Sequence, residues 1–163
     1  MSKLLFLCRH AEAEDTFGGQ PDFNRCLTAV GIMQASQAAR WLQYRFLAES
    51  IICSPAERTM QTARLLAVTI GLSPESLVFK PELYNASVGT LTNIIMQLPD
   101  NLNKIVLVGH NPGITKVLEE LTGKAFDYME PGCMAAISFE ADSWQQAITQ
   151  PGTLVEIFKP GKE

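Results

Sequence analysis

The chain has two histidines, and each closes an apolar run: His10 follows Leu4-Leu5-Phe6-Leu7-Cys8-Arg9, and His110 follows Ile105-Val106-Leu107-Val108-Gly109. Short apolar runs of this kind read as buried strands. In open α/β sheets the crevice beyond the carboxyl ends of the strands is the usual ligand site, so two imidazoles delivered to two such ends can meet there. Arg9 beside one of them points to an anionic ligand, because a guanidinium presents a fork of donors that matches carboxylate and phosphate oxygens. A third junction, Ser54-Pro55-Ala56-Glu57-Arg58, puts Arg58 in the first turn of a helix, where unpaired N–H groups and the helix dipole also favour an anion. In a parallel sheet these junctions share one edge, so Arg9, His10, Arg58 and His110 can converge. Two guanidiniums and a protonated imidazole match the charge of a phosphoryl group in transfer. The other imidazole, left neutral, can attack phosphorus and form a covalent intermediate.

Each piece alone has a plainer explanation. Arg58 can be a solvated helix residue paired with Glu57 or Gln61, and Gly109-His110-Asn111-Pro112-Gly113 can be a turn. The coincidence of all three junctions on one edge favours the functional reading.

The elements that would position these residues alternate. Residues 3–8 read as a buried strand. Thr28 can cap a helix to about Phe46, with Ile32, Ala35, Ala39, Leu42 and Phe46 at helical spacing. Ile51-Ile52-Cys53 is a short strand. Ser54 and Glu57 form a capping-box pattern with Pro55 at the first helical position, which predicts a helix to about Ile70, ended by Gly71. A strand at 77–79, a helix near 87–98 and a strand at 104–108 follow. Asn111-Pro112 opens a helix to about Thr122, and 134–139 and 153–158 are two last strands with no convincing helix between them. Alternating strands and helices predict a three-layer α/β/α fold: a mostly parallel central sheet covered on both faces, with an antiparallel edge.

With 163 residues, 47% of them apolar and 18% charged, the chain has the length and composition of one domain, spanning 1–163, with a sizeable core. A net charge of −4 argues against nucleic acid or an acidic membrane as partner. No apolar run is long enough to span a bilayer, and Met1-Ser2-Lys3-Leu4 lacks a secretory design. Cys8, Cys26, Cys53 and Cys133 show no C-x-x-C spacing, and a disulfide scaffold is not expected at this size. The chain reads as cytoplasmic.

Four ordered motifs carry a resemblance. They are Leu7-Cys8-Arg9-His10-Ala11-Glu12-Ala13, Leu27-Thr28-Ala29-Val30-Gly31, Cys53-Ser54-Pro55-Ala56-Glu57-Arg58-Thr59-Met60-Gln61-Thr62-Ala63, and Gly109-His110-Asn111-Pro112-Gly113. Together they resemble the histidine phosphatase superfamily, with its phosphoglycerate-mutase-like fold, and within it the small SixA-type phosphohistidine phosphatases. The resemblance spans nearly the whole chain. It implies His10 as nucleophile and transient phosphoryl carrier, with Arg9, Arg58 and His110 as the clamp on the phosphoryl group. Two adjacent arginines lower an imidazole's pKa, which suits the neutral role at His10, and His110 is then expected as a cationic donor.

One departure bears on the substrate. Many members of the superfamily carry an acid after the third strand, and here the corresponding stretch, Pro81-Glu82-Leu83-Tyr84-Asn85-Ala86, has Asn85 where they have glutamate. Asparagine cannot donate and recover a proton as a carboxyl does. An alkoxide leaving group gains about 100- to 10,000-fold from a general acid, whereas imidazole, with a conjugate acid near pKa 6.5, can take its proton from solvent. The departure therefore points to phosphohistidine, and the short chain, with little sequence for a lid that would enclose a small substrate, points to a phosphorylated protein, such as a phosphotransfer domain, as its bearer. Glu82 and Glu12 are the candidate replacement acids, and Asp15 and Asp22 are further ones.

The loop 15–25 reads as the rim of the site, with Arg25 as a candidate substrate contact. No metal set is visible, so a metal-independent enzyme without cofactor is expected. Two other readings remain open. One is a phosphatase of small phosphomonoesters using Glu82 or Glu12, and the other is a phosphate-recognition module without turnover.

Overall fold

A computed structural model of the protein describes residues 2–16 and 19–161. Its strands are β1 (Ser2–Arg9), β2 (Ser50–Cys53), β3 (Val78–Phe79), β4 (Lys104–Gly109), β5 (Met134–Glu140) and β6 (Thr153–Phe158). Its helices are α1 (Ala29–Arg45), α2 (Glu57–Ile70), α3 (Val88–Met96), α4 (Gly113–Thr122) and the single turn α5 (Trp144–Ala147). The strands form one sheet in the order β3-β2-β4-β1-β5-β6. The first four are parallel, and β5 and β6 add antiparallel pairs at one side, as the sequence predicts.

The near-continuous apolar runs of β1 and β4 follow from burial on both faces. Side chains alternate along a strand. Leu5, Leu7, Ile105 and Leu107 therefore pack on one face with Leu91 and Ile95 of α3, Val117 and Leu118 of α4, and Trp144 of α5. Phe6, Cys8, Val106 and Val108 pack on the other face with Ala38, Ala39 and Leu42 of α1 and Ala63 and Leu66 of α2. Each fully buried Leu, Ile or Phe stabilises the fold by about 1.5–3 kcal/mol relative to exposure. The sheet is thus the rigid member that fixes its own carboxyl edge.

Three local expectations are corrected. The capping box at Ser54 does not form. α2 begins at Glu57 after Ala56, with no side-chain cap, because the Ser54 hydroxyl turns towards His110. The segment between β5 and β6 holds one helical turn, opened by Ser143, whose side chain accepts from Gln146 N. Ile32 lies on the solvent face of α1, 47% exposed, and Phe46 lies just past its end. The cap at Thr28 forms as predicted, its Oγ1 accepting from Gly31 N at 3.0 Å.

Candidate active site

Register alone brings the polar junctions together. Arg9 pairs with Gly109 across β1 and β4, and Cys53 pairs with Val108 across β2 and β4. Each chain stays zipped for one residue more: His10 N donates to Gly109 O at 3.1 Å and Ser54 N to Val108 O at 3.3 Å. His10, His110 and Ser54 therefore leave three neighbouring strands at one level. The two imidazole centroids are 5.4 Å apart.

A cavity of about 460 Å³ opens at this edge, and Arg9, His10, Arg58, His110, Arg25 and Asp22 are among the residues lining it. The four residues singled out first do converge. His10 is buried, and its Nδ1 lies 2.7 Å from the carbonyl of Ala11. A carbonyl only accepts, so Nδ1 carries the proton and Nε2 of the neutral ring is a free lone pair. Arg58 Nε donates to that lone pair at 3.3 Å. Burial, and then the charges of Arg58 and Arg9, push the His10 pKa down to about 4. The ring is a neutral base at physiological pH, as its candidate role requires.

His110 is buried as well, with Nε2 2.8 Å from Ser54 Oγ. Burial first, and then Arg58, push its pKa down to about 3. The expectation of a cationic His110 is not met in the free site: desolvation outweighs the attraction of Asp22, and both rings stand neutral.

Arg58 is 3% exposed and donates from each of its three nitrogens. Nε meets His10, Nη1 donates to the Asp22 carbonyl at 2.8 Å, and Nη2 to Asp22 Oδ2 at 3.0 Å. Asp22 is the residue to which sequence reasoning gave too little weight. Its carboxylate also accepts from Tyr84 O–H at 2.5 Å and Arg25 Nε at 3.0 Å. The Tyr84 hydrogen bond first, and the two arginines after it, hold its pKa down to about 2. Tyr84 stands edge-on to the His110 ring with centroids 5.4 Å apart. Nothing local in Pro21-Asp22-Phe23 signals this pairing, and the only hint is an acid three residues before an arginine.

On the other side, Arg9 Nη1 donates to Met129 O at 3.0 Å and its guanidinium lies over the Tyr128 ring, 4.9 Å from the centroid. Asn111 Nδ2 donates to the same carbonyl at 2.8 Å, and Gly132 N donates to the carbonyls of Arg9 and His10. Segment 128–132 thus holds Arg9 from above, and sequence reasoning missed it.

Motif residues outside the cavity lining hold the loops in place. Thr62 Oγ1 accepts from Ala11 N at 3.1 Å, and Gln61 Oε1 accepts from Leu27 N at 2.7 Å. α2 thereby pins the loop that carries His10 and the start of α1. A Cβ at Gly31 would stand 2.1 Å from Glu12 O, and one at Gly113 would stand 2.2 Å from Ala86 O. Both glycines are therefore close-approach positions.

The candidate acids separate. Glu12 lines the cavity, but its Oε2 accepts from Thr28 Oγ1 at 2.6 Å. Glu82 lines a different cavity, beside Lys80, Ile94 and Leu98, so the structure does not bring it to the site. Asn85 does line the site, with a positive φ of 49°. Asp15 lines a cavity adjoining the site, which also includes Glu12 and Glu14. In the loop 15–25, residues 17 and 18 lie outside the described residues. Arg25 reaches the rim, where Nη1 donates to Glu14 O at 2.9 Å. Among the described residues, no group of three or more His, Cys, Asp or Glu is placed to hold a metal ion, all four cysteines are free, and no helix is long and apolar enough to cross a membrane.

Comparison with known proteins decides the family. The histidine phosphatase superfamily (branch 1) matches residues 5–100. The chain belongs to the histidine phosphatase superfamily. An uncharacterized protein of Mycobacterium tuberculosis is 33% identical over 119 residues, covering 71% of this chain and 72% of the relative. Among solved structures, the SixA of Nakamurella multipartitia superposes with a TM-score of 0.83 at 24% identity, over 98% of this chain and 97% of that one. The protein histidine phosphatase SixA complexed with tungstate superposes at 0.82 with 22% identity, over 96% and 97%. The fold also serves a mycobacterial glucosyl-3-phosphoglycerate phosphatase, with a TM-score of 0.68 at 15% identity over 95% and 98%. The superfamily match and these superpositions identify the fold as phosphoglycerate-mutase-like α/β.

Proposed function

We propose that this chain is a single-domain, metal-independent phosphatase, working in the cytoplasm, that hydrolyses phosphohistidine on a phosphorylated protein through a covalent phosphohistidine at His10. The observation that carries the reading is the state of His10. Its proton is held on Nδ1 by the Ala11 carbonyl, and its Nε2 lone pair lies beside Arg58 in a cavity that also holds Arg9 and His110.

In the first step the Nε2 lone pair attacks phosphorus and the P–N bond to the donor imidazole breaks. The bonding pair goes to the leaving nitrogen, which takes a proton from solvent. Arg58 Nε turns from the lone pair to a phosphoryl oxygen as the new bond forms, while Arg9 and His110 donate to the other oxygens. The Nδ1 bond to Ala11 persists and stabilises the charge that His10 acquires. Water then attacks phosphorus, the P–Nε2 bond breaks, and neutral His10 and inorganic phosphate result.

The leaving group follows from the acids. Asp22 is ionised because its pKa is held at about 2, so it cannot protonate an alkoxide. Glu12 is tied to Thr28, and Asn85 has no acidic proton. Among the described residues, the carboxylates of the cavity are thus engaged as acceptors, which suits imidazole, whose conjugate acid has a pKa near 6.5. The SixA superpositions support the same substrate class.

The test is a substrate panel in EDTA: phosphohistidine protein, free phosphohistidine and alkyl phosphomonoesters. The reading expects turnover of the phosphohistidine substrates and its loss in His10→Ala. Preferred turnover of alkyl esters, abolished in Glu12→Gln, would instead select the small-molecule reading. Tight binding of phosphoprotein without phosphate release would select the recognition module.

A further inference from the structure

The His110 ring lines the cavity, and among the described residues its Nδ1 is buried without a hydrogen-bond partner. Nε2 faces Ser54 Oγ at 2.8 Å, a distance that fits either direction of donation. Ser54 decides between them. Its side chain is fully buried, and a hydroxyl has one proton to donate and lone pairs that accept. Oγ already accepts from Ala56 N at 3.3 Å. Among the described residues, the acceptor recorded for its own proton is His110 Nε2. A proton on Nε2 would leave the Ser54 proton buried with no acceptor and would leave Nδ1 a bare lone pair, where the clamp reading needs a donor. An unsatisfied buried donor of that kind biases the equilibrium about tenfold to a hundredfold.

We propose that Ser54 is a positioning residue that sets the tautomer of His110: the Ser54 hydroxyl donates to Nε2, so the neutral ring carries its proton on Nδ1, the nitrogen that has no partner among the described residues. This rests on the reading of His110 as part of the phosphoryl clamp. It explains how a ring that stays neutral still donates to an anion, and why the Ser-Pro pair ahead of α2 does not cap the helix. No charge has to be created in a buried site before substrate arrives. The same hydrogen bond fixes the plane of the ring against Tyr84 and His10.

The test is nitrogen NMR of protein labelled at histidine, which has two imidazoles to resolve, with His10→Ala identifying the His110 signals. At neutral pH the His110 spectrum is expected to show protonated Nδ1 and bare Nε2. Ser54→Ala should shift it towards the Nε2–H form or a mixture and lower kcat/KM for phosphohistidine about tenfold to a hundredfold. Ser54→Thr, which keeps the hydroxyl, should retain the Nδ1–H form. A wild-type His110 with its proton on Nε2 overturns the proposal, as does a Ser54→Ala spectrum and rate unchanged from wild type. If Ser54→Ala does not fold, the wild-type spectrum alone decides. A wild-type protein with the expected tautomer and no phosphohistidine turnover would support the role of Ser54 and count against the phosphatase reading.

Discussion

Arg58→Lys preserves the charge of the site and removes its geometry. The guanidinium holds His10 Nε2 with one nitrogen and Asp22 with the other two. An ammonium is a point charge on a flexible stem and cannot span both. The Asp22 side chain is 42% exposed, so water replaces much of what it loses and that part costs folding about 1 kcal/mol or less, while the lost bond to buried His10 costs about 0.5–1.5 kcal/mol more. In the proposed transition state Arg58 Nε donates to a phosphoryl oxygen, and a lysine ammonium cannot keep that directed bond while holding Asp22. One hydrogen bond to a charged group there is worth about 1.5–3 kcal/mol. At about 1.4 kcal/mol per factor of ten, kcat/KM for phosphohistidine should fall about 10- to 150-fold. The test is steady-state hydrolysis, which should show that loss under conditions where urea unfolding finds the variant fully folded. A variant within threefold of wild type would refute the fork argument. So would a rate loss that merely tracks unfolding.

Further predictions follow from the same geometry. NMR titration of the free protein should show neither imidazole protonating between pH 5 and 8, since burial and the arginines hold them down to about 4 and 3. The rings are close enough that these values belong to the pair, and a ring titrating near 6.5 would contradict the account. The unfolded chain takes up histidine protons from about pH 6.5 downward, before the folded one does. Chemical denaturation should therefore show stability falling as pH drops from about 6.5 towards 4. Glu82→Gln should leave turnover within about twofold, because Glu82 lines a separate cavity, and a tenfold loss would bring it back as an acid. Gly113→Ala places a Cβ 2.2 Å from Ala86 O. It should cost about 1–3 kcal/mol in denaturant unfolding, and a neutral result would mean that α4 can shift freely.

Much of the fold was legible because its decisive signals are local. The runs ending at Arg9 and Gly109 announce buried strands, and Thr28 and Gly71 announce helix ends where the structure places them. Convergence of Arg9, His10, Arg58 and His110 was legible because a parallel sheet puts strand ends on one edge. The misreadings arise where tertiary contacts override local patterns. Ser54-Pro55-Ala56-Glu57 reads as a capping box, yet the hydroxyl bonds a histidine brought in by β4. His110 reads as a cation until its burial is known. The Asp22–Arg58–Tyr84 cluster joins three segments with no shared periodicity, and the hold of residues 128–132 on Arg9 depends on backbone carbonyls, which carry no residue-type signal. Gly31 and Gly113 stand in the motifs for a reason only coordinates reveal, a backbone oxygen where a Cβ would sit.

The central claim is that the His10 Nε2 lone pair takes the phosphoryl group. Rapid mixing of the protein with labelled phosphohistidine, quenched in alkaline detergent to preserve an N-linked phosphoryl group, tests it most directly. Label on the His10 peptide, lost on acid treatment and missing from His10→Ala, is the predicted result. Turnover with no labelled enzyme, or label on another residue, would contradict it.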